Sequence, residues 1–312
     1  MNLSKKVTRE KVQVLLSTYN GSMYLEPLIN SILDQDYPNI EIIIRDDGSI
    51  DNTLNILRRY TSYENISVIK GSNVGLPHSF FVLLQMSSPN ADYFSFCDQD
   101  DVWQKDKLSR AINLLKKLPN SIPAMYCGRV LVVDKHLNVI GHSPILKRKP
   151  SFKNALVENI ATGCTIVINR AARNIIVKKI PKHALMHDWW IYLVVSAFGV
   201  VVYDPEPKIL YRQHSSNAVG IRNRFFDHWK ARTLRFLKYR RGRLLVKQAE
   251  EFNDIYGNEL STGNKRLLER FINIENRRGL ISRIQYAFCG ELYRQSIVDN
   301  VLLKSLILLG YI

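Results

Sequence analysis

Tyr93-Phe-Ser-Phe-Cys-Asp-Gln-Asp-Asp101 is the stretch that decides the fold: a short apolar run stops abruptly on a cluster of carboxylates. Five residues are too few for a helix but suit a strand buried on both faces, so the acids fall at a strand's carboxyl end. The same design occurs twice before it. Val12-Gln-Val-Leu-Leu-Ser17 runs into Thr18-Tyr19-Asn20-Gly21, and Glu41-Ile-Ile-Ile-Arg45 into Asp46-Asp47-Gly48-Ser49. A fourth strand, Ile66-Ser-Val-Ile69, completes the set, and apolar residues at helical spacing fill the intervals at 24–33, 51–60, 77–86 and 105–117. Strands alternating with helices predict an α/β fold with a Rossmann-like, mainly parallel sheet flanked by helices. Ligands of such sheets bind beyond the carboxyl ends of the strands, where all three polar clusters lie.

The second half is less regular. Ala124–Val133 and Asn138–Ile140 are expected to pair around a turn at Lys135-His136, and Gly163–Ile168 to form a short strand. Asp188–Ala197 reads as an aromatic-rich helix, and Val200–Tyr203 and Lys208–Tyr211 as strands separated by Pro205-Glu206-Pro207. From about Ile221 the composition turns basic and helix-forming, which divides the chain into a catalytic unit at 1–220 and a basic helical extension at 221–312. No internal repeat or low-complexity tract is present.

A chain of 312 residues with 46% apolar content has room for one large α/β domain or for a domain with an appended segment. Its four cysteines stand alone, without zinc-ligand spacing, and read as reduced, buried thiols. Residues 1–11 lack the apolar core of a secretion signal, and no stretch reaches the ~20 apolar residues of a membrane span. Val301–Ile312 comes nearest, but it is short and carries Lys304. The expected location is the cytoplasmic side of the membrane. The net charge is +16, and between Trp229 and Lys247 there are eight basic residues and no acidic one. As a helix, that segment would gather Trp229, Phe236, Leu237 and Leu244 on one face, with Arg240 intruding. Such a face fits peripheral contact with an anionic membrane, packing on the catalytic unit, or a dimer contact. No nucleic-acid recognition motif accompanies it, so nucleic acid is not an expected partner.

Adjacent carboxylates repel unless a cation sits between them. Asp98 and Asp100, aimed into one space from a strand end, suit Mg²⁺ or Mn²⁺ shared with a diphosphate; the alternative is a solvated acidic loop capping the next helix. Asp46-Asp47-Gly48-Ser49-Ile50-Asp51 reads as a βα turn whose carboxylate could equally accept a base or ribose hydrogen bond. Gly71-Ser-Asn-Val-Gly75 is a weak phosphate-loop signal that matches no Walker or dinucleotide fingerprint. In His187-Asp188-Trp189-Trp190 an acid stands beside two aromatics that could stack on sugar and raise its pKa, although such a pair is also common in cores. Tyr211-Arg-Gln-His214 gathers polar groups after a strand, where His214 is either a metal ligand or a satisfied histidine.

Together these pieces resemble the family 2 inverting glycosyltransferases of the GT-A fold, in the rhamnosyltransferase-like branch that builds bacterial cell-surface polysaccharide. The resemblance rests on Val14–Gly21, Arg45–Asp51, Asn73-Val-Gly75, Phe96–Trp103, His187–Trp190 and Tyr211–His214, in order, across roughly residues 10 to 220. It implies a hexosyl transfer from a nucleotide-diphosphate sugar (dTDP-rhamnose or a UDP-sugar) to a saccharide or lipid-linked acceptor. By the same resemblance Ser17, Thr18, Tyr19, Asp47, Asn73, Gly75 and Asp98 bind the donor. Asp98, Asp100 and His214 hold Mg²⁺ or Mn²⁺, with Asp100 the preferred contact; Asp188 is the general base; Trp189, Trp190 and Gly163 line the acceptor. The QxxRW signature of processive synthases is absent, which favours addition of single sugars. A metal-dependent nucleotidyltransferase and a catalytically silent GT-A-like binding protein are the alternatives.

Overall fold

The computed structural model describes residues 10–214, 244–273, 280–289 and 291–310. Strand β1 (Val12–Thr18) shows why the first half folds as it does. Its side chains alternate between two apolar clusters, with Val12, Val14 and Leu16 in one and Leu15 in the other. A strand covered on both faces must be apolar at successive positions, which is what the sequence supplies. On one face, α1 (Leu25–Leu33), α2 (Thr53–Tyr60) and α4 (Lys107–Leu115) contribute leucines and isoleucines at helical spacing. The other face is covered by α3 (His78–Met86), α5 (Phe152–Ala155), α6 (Arg170–Val177) and α7 (His187–Phe198).

The seven-stranded sheet runs β10 (Val200–Asp204), β6 (Ala124–Gly128), β9 (Val167–Asn169), β4 (Tyr93–Cys97), β1, β2 (Ile40–Asp46), β3 (Ile66–Lys70). All its pairings are parallel except the two that β9 makes with β4 and β6. A four-stranded sheet, β5 (Val102–Trp103), β11 (Ile209–Arg212), β7 (Leu131–Val133) and β8 (Val139–His142), stands beside it. In the large sheet Thr18 pairs with Asp46, Asp46 with Lys70, and Leu16 with Cys97. That register brings the loops after β1, β2, β3 and β4 out along one edge.

Two expected strands are corrected. Ala124–Val133 is two strands in two sheets, because the ladder stops at Gly128, whose N–H goes to Thr165 Oγ1 (3.2 Å). The next two N–H groups turn to Asp204 O and Ser143 Oγ, which redirects the chain into the small sheet. Only Leu131–Val133 then pairs with β8. Gly163–Ile168 begins as a 3₁₀ turn at Gly163–Thr165, closed by Thr165 Oγ1 donating to Thr162 O, and only Val167–Asn169 joins the sheet.

Four further helices follow among the described residues: α8 (Leu244–Tyr256), α9 (Thr262–Ile272), α10 (Leu280–Cys289) and α11 (Ile297–Leu309). Phe252, Tyr256, Phe271, Leu303 and Leu306 belong to the same apolar cluster as Trp190 on α7. Trp190 meets Phe252 nearly edge-on at 5.7 Å. Of the basic stretch from Trp229 to Lys247, only Leu244–Lys247 falls within the described residues, as the first turn of α8; Trp229, Phe236, Leu237 and Arg240 lie outside them. Among the described residues, no helix is long and apolar enough to cross a membrane.

Candidate active site

The loops after β1 and β2 lock together at the common edge. Asp46, fully buried, accepts from Thr18 Oγ1 (3.1 Å), Ser49 N (2.9 Å) and Ser49 Oγ (2.5 Å). Gly48 makes the turn in the left-handed region (φ +83°), which a side chain there would strain. Ser17 Oγ lies 2.6 Å from Ser79 Oγ at the start of α3. Tyr19, by contrast, keeps an exposed ring at the mouth of this edge.

Asp47 is almost wholly buried and committed to internal partners. One oxygen is paired with the Arg45 guanidinium and accepts from Val74 N (2.9 Å); the other accepts from Gly75 N (2.8 Å). In this conformation Asp47 orders the Asn73–Gly75 loop beside the pocket.

After β4 the carboxylates crowd together. Asp98 is pushed well above the usual carboxylate range by burial, and further by Asp100 and Asp188; the buried Lys107 ammonium acts against that rise. Asp101 is raised too, by burial and then by Asp100 and Asp98. Its Oδ1 accepts from Arg212 N (3.2 Å), which anchors the acidic loop to the end of β11. Arg212 reinforces this by donating from Nε to Asp100 O (2.9 Å) and from Nη1 to Lys135 O (2.7 Å). The strand-end anchor delivers His214 to the same place, where its Nε2 lies 2.8 Å from Asp100 Oδ2 and its ring packs on Tyr24.

Among the described residues one grouping converges as a cation site would, and a second shares Asp98 with it. Asp98, Asp101 and Cys164 bring ligand atoms within 4.8 Å of one another; burial pushes the Cys164 thiol well up, so a cation bound there would have to displace its proton. Asp98, Asp100 and His214 offer hard oxygens and an imidazole, the donor set that suits Mg²⁺ or Mn²⁺, and a cation would relieve the repulsion that raises Asp98.

Asp188 opens α7, whose helical first turn favours an anion. It accepts from Trp189 N (2.6 Å), from the Asn159 side chain and from Gly163 N. Burial nevertheless raises it to about 6. The coupling to Asp98 puts this carboxylate within electrostatic reach of the acidic loop. Gly163 thus holds the Asp188 carboxylate from the 3₁₀ turn. His187 stacks on Phe80 at 4.0 Å, and burial drives it down to about 3, so it stays neutral and apolar in role.

The expectation that Trp189 and Trp190 stack on the acceptor is corrected. Trp190 is fully buried, and Trp189 is buried with its Nε1 donating to Ala155 O (2.7 Å). Both build the wall behind Asp188 and offer no open face to a sugar. Residues that sequence reasoning passed over are Gln99, Lys107, Asn159 and Arg212. Only Arg212 carried a signal, by its place in the Tyr211–His214 quartet.

Comparison with known proteins gives the family and the fold. Residues 13–180 match the family described as "Glycosyl transferase family 2". A relative named dTDP-rhamnosyl transferase RfbG, from Shigella flexneri, is 32% identical over 233 residues, covering 69% of this chain and 77% of that protein. Among solved structures, S. aureus TarS 1-349 in complex with UDP-GlcNAc aligns with a TM-score of 0.60 at 17% identity, over 89% of this chain and 79% of that one. A mannosyltransferase from Pyrobaculum calidifontis, in complex with GDP-Man and Mn2+, aligns with a TM-score of 0.50 at 15% identity, over 98% and 82%. At these identities the structural likeness speaks for the fold.

Proposed function

The chain belongs to glycosyl transferase family 2, enzymes of GT-A fold that use nucleotide-sugar donors, and from that premise we propose that it adds single sugars, with inversion, to a saccharide or lipid-linked acceptor in bacterial cell-surface polysaccharide synthesis. The donor we propose is dTDP-rhamnose or a UDP-sugar. The name of the Shigella relative supports the first, and the UDP-GlcNAc complex of TarS supports the second.

One observation carries the reading: a buried carboxylate, Asp188, raised to about 6 and electrostatically coupled to Asp98. A base with that pKa is ionised at neutral pH yet retains proton affinity, which suits removal of the acceptor hydroxyl's proton as the oxygen attacks the anomeric carbon. Inversion follows from the roles. Only one carboxylate is assigned to the reacting face, so displacement is direct and the leaving nucleoside diphosphate departs on the opposite side. Tyr19 with the Ser17–Thr18 strand end and the Asn73–Gly75 loop form the nucleoside side of the pocket. Asp98, Asp100 and His214 would hold the divalent cation, which when bound would neutralise charge gathering on the departing diphosphate.

Residues 1–220 act in this reading as the catalytic unit and 221–312 as the extension. The described helices of the extension brace α7, and so Asp188, through Phe252 and Tyr256. A cytoplasmic enzyme touching the anionic membrane face through its basic segment fits a lipid-linked acceptor.

A panel of UDP-, dTDP- and GDP-sugars with Mn²⁺, read by thermal shift and then by release of nucleoside diphosphate, tests the proposal. One sugar nucleotide should raise the melting temperature and release its diphosphate in the presence of acceptor. Release of sugar 1-phosphate in place of nucleoside diphosphate would instead assign a nucleotidyltransferase.

A further inference from the structure

The residue between the two metal-site aspartates has no assigned part, yet it makes the best-defined contact in the site. Gln99 Nε2 donates to Tyr19 O (3.0 Å), while Gln99 Oε1 accepts from Tyr19 N (2.8 Å). The amide thus pairs with both polar groups of one backbone residue, as a neighbouring strand would. Its path crosses Gly21. A Cβ at Gly21 would lie 2.2 Å from Gln99 Oε1 and 2.5 Å from its amide carbon, so the glycine leaves the space the amide occupies.

The rest of the Tyr19 loop is held from the other side. Asn20 N donates to Ser49 Oγ (2.9 Å), Gly21 N to Thr53 Oγ1 (2.9 Å) and Ser22 N to Asp51 Oδ2 (3.2 Å). The loop is therefore slung between the turn after β2 and Gln99 on the acidic loop. Its exposed aromatic residue, Tyr19, is 46% accessible and is the one whose backbone Gln99 grips.

We propose that Gln99 is a positioning residue that sets the Tyr19 loop for the nucleoside and links that end of the donor pocket to the Asp98–Asp100 end. The inference rests on the donor-site reading above and goes beyond it: occupancy of one end stiffens the other through a single amide. The Gln99 amide spends both its oxygen and its nitrogen on the Tyr19 backbone. Its loss therefore weakens nucleotide capture and leaves the chemical step intact.

The test uses the full chain and whichever of UDP, dTDP or GDP raises its melting temperature with Mn²⁺. Gln99→Ala is expected to raise that nucleotide's Kd and the donor KM about tenfold, the loss of two neutral hydrogen bonds, with kcat at saturating donor within about threefold. Gln99→Glu keeps the acceptor for Tyr19 N but sets a carboxylate against Tyr19 O, and should not restore affinity. Gly21→Ala disturbs the same clamp without altering the amide and should mimic the loss. In Gln99→Ala the space is free, so adding Gly21→Ala should cost little more, a non-additive cycle. Donor KM within twofold in Gln99→Ala, a fall in kcat at unchanged KM, or an additive cycle overturns the proposal. Failure of the unaltered chain to bind any of the three nucleotides overturns the donor-site reading instead, so the two failures are distinguishable.

Discussion

Replacing Asp188 by Asn should abolish transfer and change stability in a way that depends on pH. The carboxyl is raised from 3.8 to about 6 because burial disfavours its ionised form. An acid whose pKa is higher in the folded chain costs stability wherever the unfolded chain has already released the proton. The cost is absent below about pH 4, grows between about 4 and 6, and is complete above the folded value. With about 1.4 kcal/mol per unit, it reaches about 3 kcal/mol at pH 8 and about 1.6 kcal/mol at pH 5. Asn carries no such cost, but its NH₂ faces the donors from Asn159 and Gly163, a loss of about 1–2 kcal/mol that is independent of pH. The prediction therefore concerns a difference: relative to the unaltered chain, the variant loses about 1.4 kcal/mol of stability advantage between pH 8 and pH 5. Urea unfolding of the metal-free, nucleotide-free proteins at the two pH values measures it. Turnover should fall by about 10²–10⁴-fold, with nucleotide-sugar binding largely retained. Near-normal turnover, or a stability difference that does not change with pH, would refute the reasoning.

Four further outcomes are expected. Excess EDTA should abolish transfer and Mn²⁺ or Mg²⁺ restore it, while His214→Ala should raise the metal concentration for half-activity by about tenfold or more; full activity in EDTA contradicts the metal role. The pH profile of kcat/KM should fall about tenfold per unit below about pH 6, because the base must be ionised; a flat profile down to pH 5 contradicts it. Trp190→Ala, which empties a fully buried site between α7 and α8, should cost about 3–5 kcal/mol in a urea melt. Sedimentation with anionic liposomes should exceed that with neutral ones and fall with added salt; equal binding argues against membrane contact.

How much of this was legible in the chain follows from which forces are local. Strands β1, β2 and β4 and their helices could be read because burial on two faces demands an unbroken apolar run, and the carboxylates mark where each run ends. The strand at β9 could be read too, but not where it starts, since that depends on the Thr165 hydroxyl closing a 3₁₀ turn and serving Gly128 on another strand. Trp189 and Trp190 misled because a sugar face and a core face are chemically alike, and only distant partners decide: Ala155 on α5 for Trp189, and Phe252 on α8, some sixty residues later, for Trp190. Asp188 and the Asp98–Asp100 pair stood out as carboxylates in unfavourable company. Gln99 did not, because an amide declares its role only through its partner, and Tyr19 is 80 residues away.

The reversed direction of β9 has a consequence for how such an enzyme changes its substrates. The groups proposed to hold the donor ride on segments departing from the sheet, after β1, β2, β3 and β4. Gly163, which hydrogen-bonds the proposed base, rides on a segment arriving at it, since β9 runs against its neighbours. The two halves of the reaction are thus served by traffic in opposite directions through one edge. Lengthening or reshaping the approach to β9 would remodel the acceptor side while every departing loop kept its register. One nucleotide pocket could in this way be passed intact among enzymes that build different linkages.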